Sequence, residues 1–82
     1  MNTKEPLITN VKSKLDDILI EISWREVAHT YFGKSSSWLY QKLNGIKSDG
    51  SHGGGFTPAE NSQLKEALLD LSRRIETAAK SL

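Results

Sequence analysis

The 82-residue chain has no cysteine, so neither a disulfide framework nor a thiolate metal site can staple it. That lack suits a reducing cytoplasm. Long hydrophobic runs are missing as well. The best candidates, ILIEI and ALLDL, are interrupted by carboxylates and fall far short of the roughly 18 apolar residues of a membrane span. The start, MNTKEPLITN, has no basic segment followed by an apolar stretch and does not read as a secretory signal. A soluble, cytoplasmic protein is the expectation. An excess of one charge is lacking too: eleven Lys and Arg stand against ten Asp and Glu, for a net +1. A strongly basic domain would advertise nucleic acid more openly. Two histidines, His29 and His52, are too few for a transition-metal site without carboxylates at ligand spacing. There is no nucleophilic cysteine, no Ser-His-Asp spacing and no paired buried carboxylate, so the chain reads as a non-enzyme without cofactor or metal.

What is present is helical periodicity, within a single domain spanning 1–82. Ile8, Val11, Leu15, Ile18 and Ile22 step by three and four, with Leu7 and Leu19 beside them. The spacing predicts an amphipathic first helix over 5–22, opened near Glu5 and Pro6. Ser23-Trp24-Arg25-Glu26 is a capping-box pattern and predicts a second helix over 24–32, with Val27, Ala28 and Tyr31 or Phe32 inward and Gly33 ending it. A third helix follows over 35–44, capped by a serine, with Leu39 and Leu43 inward and Asn44-Gly45 as its stop. The segment 45–56 holds five of the six glycines and reads as a connecting loop. Thr57-Pro58-Ala59-Glu60 is the strongest helix start in the chain. The last helix, over 58–80, carries a heptad-like seam of Leu64, Leu68, Leu71, Ile75, Ala78 and Leu82. The expected fold is all-α, with four helices in the order long, short, short, long.

The stretch AHTYFGKS matches a loose phosphate-loop pattern. A phosphate loop needs a preceding β-strand and small residues whose N–H groups wrap the phosphates. Here the variable positions are His-Thr-Tyr-Phe, inside an expected helix, so no nucleotide is assigned.

SWREVAHTYFGKSSSWLYQKLNG instead resembles a helix-turn-helix. Ala28 is the small residue at the helix crossing, Gly33 tolerates the turn, and Leu39 and Leu43 pack back on the scaffold. The Leu-Asn-Gly ending followed by a loop and a closing helix resembles the lambda-repressor-like (Cro/phage repressor) domains over about residues 20–72. The string WLYQKLNG with a following FTPAE is similar to a family of short uncharacterised bacterial proteins from gut anaerobes. The common form of the motif places its glycine four residues after the alanine. Here Gly33 follows Ala28 by five, so the turn is one residue longer or the first helix extends.

The resemblance implies double-stranded DNA as partner, with 35–44 as recognition helix, in a regulator of transcription or an accessory protein of a mobile element. Its candidate contacts are Lys34, Ser36, Ser37, Trp38, Gln41, Lys42 and Lys47. Gln41 is suited to a bidentate pair with adenine. Ser36 or Ser37 at the helix start can hold a phosphate, and the lysines neutralise backbone charge. No acid interrupts Gly33 to Lys47. Trp38, Trp24 and Tyr40 also suit packing roles, Tyr40 beneath the terminal helices. His29 reads as solvent-facing, and Arg73 and Arg74 as a solvated face beside Asp70 and Glu76. Ile75, Ala78 and Leu82 are the expected dimer contact, because the seam beyond Leu71 has little left to pack on. The rival expectation is a protein-interaction module of the same fold, using an aromatic cluster at Trp38, Leu39 and Tyr40.

Overall fold

The computed structural model describes residues 7, 8, 10–47, 50 and 54–82. The helix start expected at Glu5 and Pro6, His52 and part of the glycine-rich segment lie outside them. The described residues are mostly helical and form no β-strand. They contain α1 (Val11–Lys14), a 3-10 turn (Asp16–Ile18), α2 (Trp24–Val27) running into a π-helical turn (Ala28–Phe32), α3 (Ser36–Asn44) and α4 (Pro58–Lys80).

The first long helix does not form. Its place is taken by the single turn α1, the 3-10 turn and a bend. Two causes act together. Ile8 exchanges both backbone hydrogen bonds with Phe56, at 2.7 and 3.0 Å, which holds it in an antiparallel bridge and prevents a helix from starting there. The sequence from Ile8 to Ile22 is also dense in β-branched, Ser, Asn and Asp residues, all of modest helix propensity. The apolar positions nevertheless turn inward. Val11 is buried, and Ile8, Leu15, Ile18, Leu19 and Ile22 pack partly buried against the core. Tight turns replace the helical face, leaving Ile20 at 95% exposure.

Trp24 closes this segment. Its ring is buried, and its indole N–H donates to the Leu19 carbonyl at 2.8 Å, which removes the cost of burying an unpaired donor. The core is completed by Val27, Ala28, Leu39, Leu43, Phe56 and Leu64.

α4 starts as its sequence demands. The Glu60 N–H donates to the Thr57 hydroxyl at 3.1 Å, and the Thr57 N–H donates to the Glu60 carboxylate at 2.9 Å. This reciprocal pair with Pro58 at the first position satisfies two orphan donors. At Ser23 only half the pattern forms: the hydroxyl accepts from the Glu26 N–H at 3.4 Å.

The π-helical turn holds the extra residue between Ala28 and Gly33. A π turn closes i to i+5, and here the N–H of Gly33 (φ 64°) reaches the Ala28 carbonyl. Lys34 N–H also bonds Ala28 O, at 3.0 Å. Tyr31 then ties this turn to α4. Its hydroxyl donates to Asp70 at 2.6 Å and accepts from Arg74 at 3.0 Å, and its carbonyl accepts from Gln63 at 2.8 Å.

α4 outruns the body. Leu64 and Ala67 are buried and Leu68 and Leu71 half-buried, whereas every residue from Ser72 onward is exposed. The radius of gyration is 14.1 Å, against about 12 Å for a compact chain of this length. The extents, 54 × 25 × 23 Å, reflect that overhang.

Candidate nucleic-acid interface

α3 is fixed at both ends by residues suited to those positions. Ser35 accepts from the Trp38 N–H at 3.2 Å. Gly45 (φ 69°) closes the helix, with Ile46 N–H bonded to Gln41 O at 2.9 Å and Gly45 N–H to Lys42 O at 3.2 Å. This is the Schellman pattern, which needs a left-handed residue. Leu39 and Leu43, four apart, are buried, so the opposite side faces outward.

That outward side carries Ser37, Tyr40 and Asn44, all exposed, with Gln41 half-buried beside them. At 100° per residue these four fall within about a third of the helix circumference. Tyr40 is 45% exposed and does not pack beneath the terminal helices. Ser36 is half-buried at the helix start.

Trp38 and Lys42 lean the other way. The Trp38 ring lies against Phe32, centroids 5.1 Å apart and tilted 49°. Lys34 and Lys42 place their ammonium groups 5.8 and 5.5 Å from that ring, within cation–π range. Lys42 also pairs with Glu60 at 2.9 Å. Burial alone would push the Glu60 carboxyl up. The Thr57 N–H, the Lys42 ammonium and the Thr57 hydroxyl outweigh it and hold the group below its ordinary range. Lys47 is exposed and, with Trp38, Gln41, Lys42 and Ile46, lines a cleft of about 430 Å³.

Lys12 joins this surface from α1. Its ammonium donates to Asn44 Oδ1 at 2.9 Å. Local periodicity cannot reveal such a contact, which spans 32 positions. Lys12 thus lies at the Asn44 end of α3, Lys34 and Lys42 lie over Trp38 on one flank, and Lys47 lines the cleft beside Gln41. His29 is exposed, and Arg73 stands 3.9 Å from Asp70 on an open face. Ile75, Ala78 and Leu82 sit on the overhang. Ala78 lies about 27 Å along α4 from Glu60 at 1.5 Å per residue. Among the described residues no cluster of His, Asp and Glu could hold a metal ion, and no helix is long and apolar enough to cross a membrane.

The fold defines a small, mostly helical protein in which two short helices meet across a glycine turn and a long helix closes the core. Residues 11–82 match the family described as "Domain of unknown function (DUF5053)", and the chain belongs to that family. No curated protein and no solved structure matches it.

Proposed function

We propose that the chain is a small DNA-binding protein, a transcriptional regulator or mobile-element accessory protein, that lays α3 in the major groove in the manner of lambda-repressor-like helix-turn-helix domains. The observation that carries this reading is the outward side of α3. It is polar and carries no acid among the described residues, with Ser37, Tyr40, Gln41 and Asn44 together, Lys12 bonded to Asn44, Lys47 beside Gln41 in the cleft and Lys34 on the Trp38 flank. Gln41 and Asn44 have the amide geometry that reads adenine in the major groove. The lysines suit phosphate contacts, which set affinity and register. The π-helical turn supports the same reading, because it takes up the residue by which Gly33 is displaced from the usual spacing.

The interaction-module alternative needs a contiguous aromatic surface. Leu39 is fully buried and Trp38 is half-buried against Phe32, so Tyr40 and one part of the Trp38 ring reach the surface without forming a continuous patch through Leu39.

Selection from a random duplex pool, followed by binding of the Gln41→Ala/Asn44→Ala double variant, tests the recognition helix. The variant should lose preference for the selected sequence by about 1–3 kcal/mol per base contact while keeping its weak affinity for random duplex. Unchanged preference would remove α3 from the role.

A further inference from the structure

A groove runs between the first segment of the chain and α4. Ile8, Val11 and Leu15 form one wall, and Leu64, Leu68 and Leu69 form the other. The paired hydrogen bonds of Ile8 with Phe56 tether the first wall. The walls do not close on each other, and about 470 Å³ stays open between them. Val11 and Leu64 are buried, Leu15 and Leu68 half-buried and Leu69 42% exposed. Apolar side chains thus run from the core out to the rim.

The charge on this groove has one sign. Lys14 stands on the first wall and Lys65 on the second, both exposed, with Asn61 and Ser72 as the other polar positions. Among the described residues no acid lines it. Asp16, Asp17 and Glu66 are close in sequence but stay out of the lining. Among the described residues neither lysine takes part in a salt bridge. The cleft where α2 faces α4 differs, because it sets Glu21 and Glu26 beside Arg74.

An apolar trough with an ammonium group on each wall complements a molecule with an apolar body and a carboxylate. Size selects among such molecules. The volume falls within the roughly 300–1,000 Å³ of small-molecule sites. About 16 Å of α4 separates Asn61 from Ser72, at 1.5 Å per residue, which suits one extended alkyl chain. Three turns of a docked helix, about 10–12 Å across, occupy roughly 1,200 Å³ or more and overfill the groove.

We infer that the groove between α4 and the wall of Ile8, Val11 and Leu15 binds a free straight-chain carboxylate. Its alkyl chain lies along Leu15, Leu64, Leu68 and Leu69, and its carboxylate pairs with Lys14 and Lys65. The inference does not depend on DNA binding.

Titration of octanoate, decanoate and dodecanoate into the isotope-labelled full chain at low salt, with amide shifts read by NMR, tests it. The shifts should centre on Val11, Leu15, Leu64, Leu68 and Leu69. Each added methylene should tighten binding about two- to fourfold, the gain from burying part or all of it. Octylammonium, of equal chain length and opposite charge, should bind at least threefold more weakly than octanoate. Lys14→Ala/Lys65→Ala should remove most of that preference and keep the wild-type circular dichroism, since both side chains are exposed. Groove amides that shift with none of the acids would overturn the inference. So would equal binding of octanoate and octylammonium, or an anion preference that survives the loss of both lysines. Groove shifts produced by a Leu- and Glu-rich amphipathic peptide, or by raising the protein concentration, but not by the acids would overturn it in favour of a protein partner or a second copy.

Discussion

Gly33 shows how one residue sets the geometry of the site. Its φ of 64° lies in the left-handed region, and a Cβ added there would meet nothing within 4 Å. Space is free, so any penalty for a side chain is conformational. Gly33→Ala should destabilise the chain by about 1–2 kcal/mol, the cost of that backbone state for an L-residue. Thermal melting should register a loss of roughly 4–8 °C per kcal/mol for a domain this small. Glu60 is the second such residue. Its carboxyl is held below the ordinary range, so its contribution is complete above the unfolded Glu value of about 4.3. The contribution is lost as pH falls through the lower folded value, because only the folded state resists protonation. Both partners reach solvent, so the Lys42 pair is worth at most about 1 kcal/mol. Urea melts from pH 6 to pH 3 should show Glu60→Gln losing stability less steeply than the wild type.

At the scale of elements, the π turn and α4 act as a unit through Tyr31. Its hydroxyl lies between Asp70 and Arg74, and its carbonyl takes Gln63. Tyr31→Phe keeps the ring and removes the hydroxyl bonds, and should cost about 1–2 kcal/mol in urea unfolding. This element also marks the limit of what the sequence discloses. Thr57-Pro58-Ala59-Glu60, Ser35 before Trp38, Gly33 and Gly45 act within a few residues of themselves, so their caps and stops are legible. Leu39 and Leu43 are legible from their spacing. The first helix is misread because Phe56 captures the backbone of Ile8 across the chain, a contact periodicity does not encode. The π turn escapes for a related reason: an i to i+5 turn buries Ala28 and leaves Tyr31 and Phe32 half-buried, much as an α turn would. Of the candidate site, the outward position of Ser37, Gln41 and Asn44 follows from the wheel. Lys12 beside Asn44 and Glu60 beside Lys42 come from other elements and are visible only once the chain is folded.

For the whole molecule, two surfaces stand at opposite ends of α4. α3 lies near its start, where Lys42 meets Glu60, and the exposed apolar residues Ile75 and Leu82 lie near its end. If the first surface binds DNA, few cations do the work, and a monomer should hold random duplex only weakly at physiological salt. Fluorescence anisotropy against random duplex DNA over a salt series is the direct measurement, comparing the wild type with Lys34→Ala/Lys47→Ala. Affinity should fall with salt at a logarithmic slope of about 0.9 per phosphate contacted, and the double variant should lower that slope by about 2. No binding by the wild type at low salt, or an equal slope in the variant, would contradict DNA recognition by this face.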